Sequence, residues 1–204
     1  MNTGKLNPVI DTVNTLFYFC MLNLVFLITC VPVFTTGTAL ASLYYVLFKE
    51  AKGESGYLVR VYLREFRRNL KNGTTAFVIL FAAGAVLLFN LLYWPAQKTL
   101  FSSVITGVLV FLLIVWLVIS HYTYPLIGRF INTPVHSIKN AWGLALRNLK
   151  QTFLLLLLDA GVVACYLFLP LKIVLLAIPV CAAVLPAYGR AHILIQVFAP
   201  YEKQ

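Results

Sequence analysis

The sequence carries little charge, and little of that charge is acidic. Only 11% of its 204 residues are charged, and the 16 Lys and Arg outnumber the 6 Asp and Glu, whereas soluble domains carry roughly 25% charged residues. Hydrophobic residues make up 61% of the chain, so too few polar side chains remain to cover a soluble globule of this size. The composition excludes an ordinary soluble domain and predicts an integral membrane protein.

Local signatures of chemistry are also missing. The sequence has no Gly-rich phosphate-binding loop, no His-Glu-x-x-His and no Gly-x-Ser-x-Gly, which are patterns typical of many nucleotide-binding proteins, zinc proteases and serine hydrolases. Its 4 cysteines lie inside apolar segments without metal-type or redox-type spacing. We therefore expect a protein that is not an enzyme and that binds no metal or other cofactor.

Long uncharged stretches are what the sequence has in abundance. The first, residues 12–48, contains no charged residue. It is too long for one straight crossing of a ~30 Å hydrocarbon core and barely long enough for two. Pro32 removes a backbone donor and Gly37 permits unusual dihedral angles. We therefore predict a helix break at these two residues and a second helical piece from about Thr38.

The rest of the chain repeats its order of parts. Arg-Asn-Leu-Lys ends a basic amphipathic segment at residues 68–71 and again at 147–150, and each copy leads into a pair of apolar runs that closes on Pro-x-x-Gly-Arg, at 125–129 and at 186–190. Two matches in the same order indicate a duplicated unit. The predicted organisation is a single membrane domain, residues 1–204, made of a first helix with a break (12–48), repeat unit one (55–129) and repeat unit two (134–190).

Each repeat unit contains two crossings joined by a short turn. The apolar runs are residues 74–94, 100–124, 152–171 and 173 to about 195. With one crossing in the first uncharged stretch, they predict an all-α, polytopic membrane helical bundle of about five transmembrane helices, in which two amphipathic cytoplasmic surface helices precede the pairs. The alternative is a tight two-pass hairpin within residues 12–48, which would give six crossings with the N-terminus inside.

The two basic segments carry their charges on one helical face. In the first, residues 57–71, the predicted apolar stripe is Leu58, Tyr62, Phe66 and Leu70. Because the outer turns hold few cations, the positive-inside rule places both segments in the cytoplasm, with the N-terminus outside and the C-terminus cytoplasmic. We expect contacts with anionic lipid headgroups or a partner protein, and not with nucleic acid. The candidate contact residues are Arg60, Arg64, Arg67, Arg68, Lys71, Lys139, Arg147 and Lys150.

Asp159 is the only acidic residue inside an apolar run. A carboxylate at membrane depth is costly unless it is paired or near water. The polar groups expected at a comparable level are His121, Arg129 and Arg190, so these are its candidate partners. One interpretation is a structural pair that locks helices together, and the other is a substrate or proton site in a small autonomous transporter or channel.

Four parts of the chain carry a family resemblance: residues 37–45, the basic helix through Phe66 and Asn69, residues 124–130 and residues 146–149. Through them the chain resembles, over nearly its whole length, the YesL-like family of bacterial integral membrane proteins. These patterns are structural and include no catalytic signature.

The resemblance implies a multi-pass protein of the bacterial cytoplasmic membrane. Members of the family often accompany carbohydrate ABC transporters and glycan-degrading enzymes, which implies an accessory or scaffolding subunit of a carbohydrate ABC importer. Its two basic helices would dock the permease or ATPase subunits. The family often has Gly-Pro where this chain has Gly37-Thr38, so the start of the second helical piece is where the chain departs from the pattern.

Overall fold

A computed structural model describes residues 8–53, 57–130, 132–170 and 183–201. Within these ranges all regular structure is helical, which confirms the prediction of an all-α helical bundle. The helices are α1 (Pro8–Cys30), α2 (Thr36–Ala51), α3 (Leu58–Tyr93), α4 (Leu100–Arg129), α5 (Pro134–Arg147), α6 (Leu149–Phe168) and α7 (Val184–Phe198), with short 3-10 turns at Val33–Thr35, Trp94–Gln97 and Ala199–Tyr201.

Helix α2 lies at the centre of the bundle. It packs against α1, α3, α4 and α7, and most of its side chains are buried. Ala39, Ala41 and Ser42 have no exposed surface, and such small residues allow neighbouring helices to approach closely in membrane bundles. A helix that is apolar around most of its circumference is suited to this central position.

The predicted break between the first two helices is present. A 3-10 turn at Val33–Thr35 separates α1 from α2, and Pro32 has extended backbone angles, φ −74° and ψ 107°. The Thr35 hydroxyl contacts the carbonyl oxygens of Thr29 at 2.6 Å and Pro32 at 2.7 Å, which satisfies acceptors at the end of α1. Gly37, which we expected to form part of the break, instead lies in the first turn of α2.

Three glycines determine how closely α3 and α4 approach α2. A Cβ atom on Gly73 would lie 2.5 Å from the Cα atom of Thr38, and one on Gly37 or Gly128 would overlap the backbone carbonyl oxygen of Gly73 or Ala41. Each approach therefore requires a hydrogen atom where other residues carry a side chain. Gly37 serves this packing and not the helix break.

Helix α3 differs from the predicted separate surface helix. It continues for 36 residues from Leu58 to Tyr93, about 54 Å at 1.5 Å per residue, so the basic segment and the first crossing of repeat unit one form one helix. No proline lies between these ends. The two glycines, which are weak helix formers, are both packed, Gly73 against α2 and Gly84 against Trp116. The second basic segment is a separate helix, α5, because Asn148 leaves the helical region at φ −123° and ψ 54°.

The buried face of α3 also differs from the predicted stripe. Tyr62 is buried as expected, but Phe66 is only partly buried and Leu70 is 40% exposed, whereas Glu65 and Asn69 are buried. The predicted residues are four apart, and each such step advances about 40° around a helix of 3.6 residues per turn. That stripe rotates away from the neighbouring helices, while alternating steps of three and four keep to one face.

Within the part of the chain that the structure describes, three helices are long and apolar enough to cross a membrane: Leu58–Gln97, Leu100–Arg129 and Leu149–Phe168. Their outward faces carry large exposed hydrophobic side chains, which supports the predicted membrane class. Thr15–Cys30 adds a shorter apolar helix. The first part of the expected last crossing, residues 173–182, lies outside the described residues, so the choice between five and six crossings and the orientation of the termini stay predictions.

Trp116 of α4 packs against α3 and stabilises the hairpin that these two helices form. Its indole Nε1 donates to the Leu80 carbonyl oxygen at 2.8 Å, and its ring covers Gly84. Trp116→Phe removes this hydrogen bond, so we expect a loss of about 1 kcal/mol in the free energy of unfolding and a fall of about 2–4 °C in the Tm of the detergent-purified protein. Trp142→Phe, at a position 41% exposed on α5, should leave the Tm unchanged, and equal falls in both variants would contradict the role of Trp116.

Candidate functional site

Asp159, about halfway along α6, lies in a cluster of ionisable side chains from three helices. Its Oδ1 atom is 2.7 Å from both Nε and Nη2 of Arg190 on α7. Its Oδ2 atom is 2.5 Å from Nε2 of His121 on α4. The partner that the sequence required for this carboxylate is therefore present, and two of the three candidates supply it.

Tyr44 adds the central helix to this cluster. Its hydroxyl group lies beside the Arg190 guanidinium, which can donate a hydrogen bond to it, and the tyrosine is only 3% exposed. Sequence reasoning missed this residue, although a tyrosine in the middle of an uncharged run is a usable signal because a buried hydroxyl usually finds a partner. We define the Asp159 cluster as Asp159, Arg190, His121 and Tyr44, which together join α2, α4, α6 and α7.

The geometry of the Asp159 cluster favours a structural role. The side chains of Asp159, Arg190 and His121 are 19%, 21% and 22% exposed, and both carboxylate oxygens have a close partner. A carboxylate paired with a guanidinium is far cheaper at membrane depth than either charge alone. A solute or a transferred proton would have to displace one of these contacts, so a lock between helices is the simpler interpretation.

Helix α6 depends on this cluster more than the other helices do. Within the described residues it packs mainly on α7 and, where it begins, on α5, and only Thr152 and Leu155 are buried in it. Thr152 makes a second polar tie, since its hydroxyl lies 2.9 Å from the Tyr122 hydroxyl of α4. The Asp159 cluster is therefore an important polar attachment of a helix that buries few side chains.

Arg129, the third candidate partner, does not join Asp159. Its guanidinium lies over two aromatic rings, 5.0 Å from the centroid of Phe48 and 5.6 Å from that of Phe198. The arginines of the two Pro-x-x-Gly-Arg copies therefore make different contacts: Arg129 lies over aromatic rings and Arg190 pairs with a carboxylate. The second copy also does not end a helix as expected, because α7 continues beyond Arg190 to Phe198.

A second buried carboxylate, Glu65, escaped the sequence reasoning. Its side chain is 1% exposed, with Oε2 2.5 Å from Nη2 of Arg68 and Oε1 3.3 Å from Nε of Arg64. The usable signal was its spacing, since Glu65 stands three residues after Tyr62 and four before Asn69, on the face of α3 that is buried.

All eight candidate contact residues are exposed. In the first basic segment, Tyr57, Arg60, Arg64 and Arg67 line one open groove of about 730 Å³. The other candidates are Arg68 and Lys71 on the same helix and three cations of repeat unit two: Lys139, Arg147 and Lys150.

The described residues contain no group of three or more His, Cys, Asp or Glu placed to hold a metal ion. Comparison with known proteins adds little about chemistry, since no curated protein and no solved structure matches the chain. Residues 19–91, which comprise most of α1, all of α2 and most of α3, match a family described as "Protein of unknown function, DUF624".

Proposed function

We propose that this protein is a non-catalytic integral membrane subunit that docks a partner protein on the basic end of α3. The observation that carries the proposal is the exposure of Arg60, Arg64 and Arg67 on a helix that continues into a membrane crossing. A crossing needs about 20 residues, so α3, with 36 residues, is long enough to extend beyond the bilayer. The arginines are then presented on a rigid element, as a specific docking surface requires.

Contacts on the opposite face hold this basic end against the bundle. The Tyr62 and Thr29 hydroxyls lie 2.6 Å apart and tie α3 to α1. The Arg68 guanidinium lies 5.4 Å from the centre of the Tyr45 ring of α2, and Arg68 also pairs with buried Glu65. The helix therefore keeps one orientation, and the groove arginines face outward together.

The class of partner follows from the resemblance to the YesL-like family, to which we assign the chain. On that basis the partner is the permease or ATPase subunit of a bacterial carbohydrate ABC importer, and this protein is its accessory or scaffolding subunit in the cytoplasmic membrane. The match over residues 19–91 includes the docking helix. Guanidinium groups pair with carboxylates in a planar, two-point geometry, so we expect an acidic patch on the partner.

The alternative function, a small autonomous transporter or channel with Asp159 in its polar site, has weaker support. A transport site needs polar groups that a solute can reach and exchange with. Both carboxylate oxygens of Asp159 are already engaged by Arg190 and His121. The duplicated units also share one predicted orientation, unlike the opposed halves of inverted-repeat carriers.

Co-purification tests the docking proposal. In cells induced for the neighbouring uptake genes, the tagged protein should recover a permease or ATPase subunit in mild detergent. Arg60→Gln/Arg64→Gln/Arg67→Gln should reduce that recovery at least tenfold, because it removes three exposed cations from the groove. It removes the Arg64 contact of buried Glu65 but keeps the Arg68 ion pair, so the Tm should fall by no more than about 2–4 °C.

Arg60→Lys/Arg64→Lys/Arg67→Lys is the matched control. It preserves charge but not the planar guanidinium geometry, so it should bind a protein partner more weakly than wild type. Full recovery of the partner by the lysine variant would show that positive charge alone is enough, and would contradict the expected two-point pairing with carboxylates. Recovery of no permease or ATPase by the wild type, or full recovery by the glutamine variant, would rule out the proposal.

A further inference from the structure

A cavity of about 440 Å³ lies where α5 meets the C-terminal ends of α4 and α7. Leu126, Phe130 and Phe198 form its apolar wall, and its two charged lining residues, Lys139 and Arg147, are both cations. Volumes of this size are typical of small-ligand sites. The cavity is separate from the Asp159 cluster and from the groove on α3.

A gap in the side chains of α5 opens this cavity. Lys139, Gly143 and Arg147 are four residues apart and therefore share one face of the helix. A Cβ atom on Gly143 would meet no protein atom within 4 Å, so the space between the two cations is empty of protein. In repeat unit one the position that corresponds to Gly143 is Arg64, so this gap belongs to repeat unit two alone.

The position and lining of the cavity define the ligand that it suits. Helix α4 is a candidate membrane crossing that ends at Arg129, so the cavity beside its end lies at the expected headgroup level. Two cations attract an anion, and the side chains of Asn132, Asn140 and Tyr201 add hydrogen-bonding groups to the lining. The apolar wall favours a ligand with a hydrocarbon part over a small inorganic anion.

We propose that this cavity binds the headgroup of one anionic phospholipid. The phosphate lies between Lys139 and Arg147, above Gly143, and the glycerol and first acyl carbons pack on Leu126 and Phe130. Basic recesses between membrane helices on the cytoplasmic side are known to suit anionic lipid headgroups. A phospholipid headgroup and a free phosphate compound both present an anion to the two cations. The apolar wall of the cavity favours the lipid, because only the lipid has a hydrocarbon part to pack there.

Native mass spectrometry of the detergent-purified full chain, mixed with equal amounts of phosphatidylglycerol and phosphatidylcholine, tests the assignment. The wild type should retain phosphatidylglycerol selectively. Gly143→Leu should reduce that adduct at least tenfold by filling the cavity, while Gly107→Leu, also at an open position, should match the wild type. Lys139→Gln/Arg147→Gln should reduce the adduct by roughly fivefold for each cation removed. This double variant tests the same cavity without filling it, so the experiment is still decisive if Gly143→Leu folds poorly.

Three results would overturn the assignment. One is equal retention of the two lipids by the wild type, and another is equal phosphatidylglycerol retention by Lys139→Gln/Arg147→Gln and the wild type. The third is displacement of the lipid by millimolar inorganic phosphate, which would assign the cavity to a free phosphate compound.

Discussion

Asp159→Ala is expected to destabilise the bundle by about 3–5 kcal/mol, because it leaves Arg190 partly buried between helices without its carboxylate. The effect should be large since α6 buries only Thr152 and Leu155 among its described residues. At about 2–4 °C per kcal/mol for a chain of this size, the Tm should fall by roughly 6–20 °C. Thermal melting followed by size-exclusion chromatography in detergent measures this change.

Two double variants test whether the pair itself causes the loss. The swapped variant Asp159→Arg/Arg190→Asp should recover expression and Tm relative to either single variant. Asp159→Leu/Arg190→Leu should also recover part of the loss, since no unpaired charge remains. Arg60→Gln, at an exposed position, is the control for loss of one cation. A single variant as stable as the wild type, or no recovery in the swap, would refute the structural lock.

The second large effect is expected from the glycines that face α2. In Gly73→Ala the new methyl group would meet the Thr38 backbone, and in Gly128→Ala it would meet the carbonyl oxygen of Ala41. Neither obstacle is the flexible end of a side chain, so helices must separate, and we expect a loss of about 1–3 kcal/mol or more in each variant. The Tm and the monodisperse fraction of the purified protein should both fall.

Gly107→Ala and Gly161→Ala are matched controls with the opposite expected sign. A Cβ atom at either position meets nothing within 4 Å, and both residues lie inside helices. Alanine is a better helix former than glycine by about 1 kcal/mol, so these variants should be neutral or slightly more stable. A similar fall at all four positions would show that packing against α2 is not the cause.

The class of protein and the order of segments along the chain could be predicted, because they depend on composition and on local spacing. The low charge content predicted a membrane protein, and Pro32 predicted the break after α1, since a missing backbone donor interrupts a helix wherever it lies. The requirement for a partner at Asp159 followed from the cost of an unpaired charge at membrane depth. The duplicated order of basic and apolar segments could also be predicted, because it depends only on the local sequence.

Two other features depend on how the helices are rotated and placed: which side chains contact each other, and which face of each helix is buried. Local spacing does not determine either of them. Arg129 and Arg190 occupy the same position of a repeated motif, yet one lies on aromatic rings and the other on a carboxylate. Glu65 stands among cations but turns into the bundle because its step from Tyr62 matches the buried face. Neither outcome can be read from charge or periodicity alone.

The sequence by itself therefore determined that this is an all-α membrane protein with a broken first segment, a repeated basic-to-apolar order and a carboxylate that needs a partner. Only the tertiary structure decided that α2 is central, that α3 is one continuous helix, and that Arg190 and His121 meet Asp159 while Tyr44 lies beside Arg190. Composition and spacing act along one segment, whereas these choices depend on which helices come within a few ångströms of each other, and glycines such as Gly73 set that approach.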